Sequence, residues 1–222
     1  MSNRPLISII SWIITILVPV SLALIGVRLL MSPAFLQIEY NLPGFPEDSY
    51  GFTKQDRLYW SKIAVDYLLN QEGISFLGDL RFEDGQPVYN ERELEHMRDV
   101  KNVVQVAMRV MVIVLLVLIG CGIWAWRAGW WNDYRFSLSR GGWYTVVLFA
   151  AIILIVLVGF DTFFVSFHNM FFQPGTWLFK FSDTLIRLFP ERFWQTAFIF
   201  EGAFTLVGGL IMGLVFKSQP SH

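Results

Sequence analysis

The sequence predicts a membrane protein, a bundle of four transmembrane helices with a small mixed α/β extracytoplasmic subdomain between the first and second helices. Three observations carry that prediction. The 222 residues are 55% hydrophobic and 16% charged, where a soluble domain has about 45–50% and about 25%. Four apolar runs, at roughly 6–30, 102–126, 142–160 and 193–216, each approach the about 20 helical residues that a ~30 Å hydrocarbon core requires. Between the first two runs lies a polar but regularly patterned stretch, 31–100, which is not low-complexity and so reads as folded.

Residues 1–30 form the first span. Their apolar run exceeds the 7–15 residues of a signal-peptide core, and Arg28 to Pro33 offers no small-residue cleavage site, so the segment reads as a retained anchor, bent at Pro19. In the subdomain, Phe35 to Tyr40 alternates like a strand that Pro43, Gly44 and Pro46 end. Apolar residues at helical spacing (Leu58, Tyr59, Ile63, Tyr67, Leu68) predict an amphipathic helix over 55–69. Leu80 to Tyr89 reads as a hairpin around Asp84-Gly85. Asn90 with Glu93 three residues later is a capping-box-like start, so a helix begins at Glu91. No glycine or proline interrupts it before Gly120. From 91 to 126 it would run about 54 Å at 1.5 Å per residue, so its first turns stand outside the bilayer and 101–127 is the second span. A loop at 128–141, the third span at 142–160, an outer loop at 161–192, the fourth span at 193–216 and a tail at 217–222 complete the order.

Orientation follows from the short segments. Arg4, the 128–141 loop with Arg135 and Arg140, and Lys217 are basic, whereas 31–100 carries thirteen acids against six bases. Both termini are therefore expected in the cytoplasm. A net charge of -1 gives no basic field for nucleic acid. The single cysteine, Cys121, allows neither a disulfide framework nor a cysteine-rich metal site.

Histidine is scarce: His96, His168 and the C-terminal His222. The first two lie just before the second span and just after the third, both on the predicted outer face. A neutral imidazole accepts and returns protons near pH 6.5, which makes the pair candidate acid-base residues; the plainer reading of each is decoration of a polar helix face. Asp99, one turn from His96, is a candidate to orient that ring or else a solvated helix residue. Asp161, seven residues before His168, shares its helix face if the helix continues, or simply stops the third span. Trp177 reads as an interfacial anchor or site support, and Asp183 with Arg187 as a local i,i+4 ion pair. Arg28 snorkels from the first span. Arg109 and Glu201 lie at equal depth in spans two and four with opposite sign, as an interhelical bridge or the wall of a polar cavity. Arg98, Asn102, Gln105 and Arg109 make a polar stripe at four-three-four spacing, which must face the bundle interior or water. Two histidines without HExxH-like spacing make a poor metal-ligand set, so no metal is expected.

Three blocks, Asn90-Glu-Arg-Glu-Leu-Glu-His-Met-Arg-Asp-Val-Lys101, Phe160-Asp-Thr-Phe-Phe-Val-Ser-Phe-His-Asn-Met-Phe-Phe172 with Trp177, and Asp183 to Trp194, together resemble the bacterial four-helix membrane family that includes the lipoprotein intramolecular transacylase. The resemblance covers essentially the whole chain. It implies a bacterial plasma-membrane acyltransferase without cofactor, and the expected oligomeric state is a monomer. The implied substrate is a diacylated lipoprotein met at the membrane lipid interface, one acyl chain passing from its glyceryl group to its own N-terminal amine. The family's two outer histidines match His96 and His168. The physical chemistry agrees: amine and ester in one molecule gain high effective molarity, and only a base, an acid and oxyanion stabilisation are needed. His96 is the expected base and His168 the acid or oxyanion partner, with the reverse open. The other class of function is a membrane sensor or accessory subunit that binds a partner through its outer subdomain and reports pH through its histidines.

Overall fold

A computed structural model describes residues 4–218, and among them the regular elements are nine helices. They are α1 (Arg4–Leu30), α2 (Pro33–Asn41), α3 (Lys54–Leu69), α4 (Ser75–Gly78), α5 (Glu91–Ala128), α6 (Trp131–Val158), α7 (Phe160–Phe171), α8 (Thr184–Leu188) and α9 (Glu191–Val215). Four of them, α1, α5, α6 and α9, are long and apolar enough to cross a membrane. Residues 219–222, including His222 and most of the predicted tail, lie outside the described residues.

The predicted mixed α/β subdomain is corrected to an α subdomain, since no strand occurs among the described residues. The segment read as a strand over 35–40 is α2. Ser32 caps it by accepting the Phe35 N–H, Pro33 occupies its first turn, and its buried residues Phe35, Leu36, Glu39 and Tyr40 form a helical stripe rather than an alternation. The predicted hairpin reduces to one bridge between Arg81 and Pro87 around a turn with Gly85 at φ +82°. Pro87 has no N–H to extend a ladder. The predicted loop 128–141 is mostly helix: α5 ends at Ala128, Gly129 takes φ +80°, and α6 starts at Trp131.

Capping boxes mark the starts of α3, one residue before the 55 predicted from periodicity, and of α5, at the predicted Glu91. Thr53 and Asp56 form a capping box at α3. Asn90 and Glu93 do the same at α5, with the Glu93 carboxylate accepting the Asn90 N–H at 2.8 Å and Asn90 Oδ1 accepting the Glu93 N–H at 3.1 Å.

The chain divides into two compact units. One comprises the described parts of Met1–Arg28, Met108–Val158 and Ile199–His222. Here the apolar helices pack on small residues, as expected where lipid supplies no hydrophobic drive between helices. A Cβ on Gly141 would lie 2.7 Å from the Thr15 carbonyl oxygen, and one on Gly142 would lie 2.5 Å from that of Gly209. Adjacent glycines thus let both α1 and α9 press against the α6 backbone. Ile14, Val18, Val114, Leu118, Tyr134 and Leu138 fill the core, and the Tyr134 hydroxyl donates to the Leu118 carbonyl at 3.0 Å.

The second unit comprises Leu29–Ala107 and Gly159–Phe198. Its core holds Phe35, Leu36, Tyr40, Tyr67, Leu77, Leu188 and Phe193, with Phe193 meeting Phe35, Tyr40 and Phe189. The C-terminus of α3 is tied to α5 by two side chains. Lys101 Nζ donates to Asn70 Oδ1 and the Glu72 carbonyl and sits 4.0 Å from the Tyr67 ring centre, and Gln105 Nε2 donates to the Leu68 and Asn70 carbonyls. Carbonyls that a helix end leaves open are thereby satisfied.

Candidate active site

His96 and His168 meet in the second unit. His96 lies on the second turn of α5, before the spanning segment, and His168 on the last turn of α7. Their ring centroids are 6.5 Å apart and nearly parallel, at 22°. Phe172 and Phe179 stand edge-on to His96 at 5.0 and 5.3 Å, while Phe164 and Trp177 tilt over His168 at 4.0 and 4.7 Å. The two imidazoles therefore share an aromatic enclosure.

The enclosure is assembled by the segment between α7 and α8, and that segment is pinned to the start of α5. Asp183 accepts hydrogen bonds from the Lys180 N–H at 2.8 Å, Asn90 Nδ2 at 3.2 Å and Arg92 Nη2 at 3.3 Å. Arg92 also lies over Phe179. Glu93, 1% exposed, accepts the Leu185 N–H through Oε1 and the Asn90 N–H through Oε2, and Thr184 Oγ1 donates to the Val88 carbonyl. These bonds fix Trp177 and Phe179 over the histidines.

Burial lowers both histidine pKa values, because a cation loses hydration in this enclosure. His96 falls to about 4, by burial first and the neighbouring His168 second. His168 also falls by burial, opposed by its backbone hydrogen bond. Both rings are neutral at pH 7. His168 Nδ1 lies 2.8 Å from the Phe164 carbonyl oxygen; a carbonyl only accepts, so Nδ1 carries the proton and Nε2 the lone pair. His96 Nδ1 is buried without a hydrogen-bond partner.

The remaining sequence candidates divide. Trp177 joins the site directly. Asp99 does not orient His96; it lines a neighbouring cavity of about 520 Å³ with Glu95, Arg98, Asn102, Phe171, Phe172, Gln173 and Thr176. Asp161 is exposed in the first turn of α7, where its charge suits the helix N-terminus. The expected local pair Asp183–Arg187 is corrected: Asp183 pairs with Arg92, and Arg187 pairs with Asp48 at 2.9 Å and stacks on Phe52. In the other unit Glu201 accepts from Thr205 Oγ1 at 3.1 Å and lies against Gly26, where any Cβ would overlap its carboxylate. Its other carboxylate oxygen, Oε2, is buried without a hydrogen-bond partner. The polar stripe divides too, with Arg98 and Asn102 at the cavity and Gln105 on the end of α3. No group of three or more metal-ligating side chains occurs among the described residues.

Phe164, Phe172 and Phe179 were not singled out from sequence. The chain has 21 phenylalanines, and only the spacing of Phe164 and Phe172 at four residues on either side of His168 marks them.

A protein of unassigned function from Aquifex aeolicus (strain VF5) is 28% identical over 206 residues, covering 92% of this chain and 91% of that one. A solved in meso structure of the membrane-integral lipoprotein intramolecular transacylase Lit from Bacillus cereus superposes with a TM-score of 0.71 at 21% identity, covering 96% and 93% of the two chains. A second structure of that protein, with one histidine substituted, gives 0.66 at the same identity and coverage. The fold is thus that of a membrane-integral protein of this kind. The model of the lipoprotein intramolecular transacylase Lit family matches residues 7–194, and the chain belongs to that family.

Proposed function

We propose that this chain moves one acyl chain of a diacylglyceryl-cysteine lipoprotein from the glyceryl oxygen to the lipoprotein's own N-terminal amine, with His96 and His168 as its catalytic residues. The observation that carries the reading is the pair of neutral imidazoles 6.5 Å apart in one aromatic enclosure. Support comes also from the family and from the exposed apolar side chains around the pair. Phe167, Met170, Phe171, Leu178 and Phe181 are exposed on α7 and the following segment, which suits contact with lipid at the interface. A substrate with two acyl chains would lose ~0.8 kcal/mol per methylene drawn from the bilayer. Catalysis at the interface avoids that loss.

The chemistry assigns His168 as base, the reverse of the sequence expectation, because its Nε2 lone pair is fixed by the bond from Nδ1 to Phe164. The amine nitrogen attacks the ester carbonyl carbon, and His168 Nε2 takes the proton released as the C–N bond forms. His96, held neutral, donates from Nε2 to the oxyanion, as a neutral imidazole can. Collapse breaks the C–O bond, and the proton returns from His168 to the departing glyceryl oxygen. The products are an amide and a free hydroxyl, with no water consumed. The site faces outward in this reading, with both termini cytoplasmic.

The test is mass spectrometry of a lipoprotein N-terminus in cells expressing the wild type, His96→Ala or His168→Ala. Each variant should lower N-acylated lyso-lipoprotein by at least about a hundredfold while the protein still accumulates in the membrane. Wild-type product from both folded variants would end the proposal.

A further inference from the structure

The unit built from α1, α5, α6 and α9 holds a cation with no acid beside it. Arg140 is the last charged residue before an uncharged, largely apolar run from Gly141 to Val158. It therefore sits at headgroup level if α6 spans, with Trp143 and Tyr144 just beyond it. From α6 it reaches across to α1, which holds its guanidinium. Nε and Nη2 both donate to Thr15 Oγ1, at 3.0 and 2.8 Å, and Nη2 donates to Ser11 Oγ at 3.3 Å. Its carbon lies 3.7 Å from the centre of the Trp12 ring.

Those partners are all neutral. The ion pairs among the described residues are Lys62–Asp66, Arg92–Asp183 and Arg187–Asp48, so no carboxylate balances Arg140. One edge of the guanidinium is used and oriented by the protein. The remaining nitrogen, Nη1, donates to no protein group and is not buried. Beside it, Trp12 and Tyr144 are stacked at 6.4 Å and 46% and 48% exposed. An oriented donor, an uncompensated charge and exposed interfacial aromatics converge on one class of ligand.

We propose that Arg140, flanked by Trp12 and Tyr144, binds the phosphate of an anionic phospholipid. The phosphate supplies the missing charge and accepts from Nη1, and the aromatic rings meet the glycerol and upper chains. An anionic lipid is preferred to a zwitterionic one because no carboxylate stands beside Arg140 to receive a choline or ethanolamine cation. This site shares no residue with the proposed acyl transfer, so either can fail without the other.

Native mass spectrometry of the full chain in detergent, titrated with phosphatidylglycerol, phosphatidylcholine, diacylglycerol or inorganic phosphate, tests it. The wild type should hold phosphatidylglycerol about tenfold more tightly than phosphatidylcholine, with diacylglycerol weaker than both. Arg140→Gln should lose about tenfold in phosphatidylglycerol affinity and Arg140→Lys less. Equal wild-type binding of phosphatidylglycerol and diacylglycerol would overturn the proposal without any variant. So would unchanged affinity in folded Arg140→Gln, or displacement of the lipid by millimolar inorganic phosphate, which would make the site one for the free anion.

Discussion

His96 shows how one side chain couples chemistry to stability. Its pKa falls from the ordinary 6.5 to about 4. A histidine with a depressed folded pKa stabilises fully above the unfolded value and loses that contribution as pH falls towards the folded one. The window runs from pH 6.5 down to 4, and the shift corresponds to roughly 3 kcal/mol. Glu93 works oppositely, since burial raises it from 4.5 to about 6. Its contribution is present below 4.5 and lost as pH rises through 6. Comparing the wild type with His96→Gln cancels Glu93. Thermal unfolding in detergent should show the wild type losing stability relative to the variant between pH 6.5 and 4. Parallel curves would show that His96 does not titrate as its burial requires. Such a site is ready at neutral pH without having to shed protons from either ring.

At the scale of elements, α5 and the α7–α8 segment form the site together. The α5 N-terminus supplies His96 and also the Asn90, Arg92 and Glu93 groups that hold the segment carrying Trp177 and Phe179. Asp183 is the exchange point, its carboxylate receiving bonds from three residues. Asp183→Ala should therefore loosen the wall over the histidines while leaving the helices in place. Since Arg92 in that ion pair is 53% exposed, the pair itself adds at most about 1 kcal/mol to stability. Transacylase turnover should nevertheless fall about tenfold, because misplacing groups by about 1 Å is costly in catalysis. Measured side by side, unchanged turnover with a large drop in Tm would assign Asp183 to stability alone.

For the molecule as a whole, glycine placement decides how closely the apolar helices approach. Gly142 meets backbone atoms of Gly209 and Gly213 at a hypothetical Cβ distance of 2.5 Å, and backbone cannot swing aside as a side chain does. Gly142→Ala should cost about 1–3 kcal/mol by overpacking, read as a lower Tm in detergent. Gly120→Ala is the contrast: nothing lies within 4 Å of its Cβ position, and replacing a mid-helix glycine there should leave Tm unchanged or raise it by up to about 1 kcal/mol of stability. If both substitutions behave alike, close approach at α6 is not what holds these helices.

Much of the fold was legible because its signals are local. The apolar runs reveal four helices able to span, and the Asn90–Glu93 box marks the start of α5 within four residues. The two histidines stand out because the chain has so few. Where sequence went astray, local patterns were ambiguous: Phe35 to Tyr40 fits a strand until its cap at Ser32 and its buried stripe settle it as helix. Partner choice was beyond sequence. Asp183 and Arg187 sit at helical spacing, yet each finds a partner at least 91 residues away, in Arg92 and Asp48. The nearness of the two rings and the choice of Phe164, Phe172, Phe179 and Trp177 around them likewise belong to the tertiary structure. Burial, which sets the histidine pKa values, exists only once those distant segments have come together.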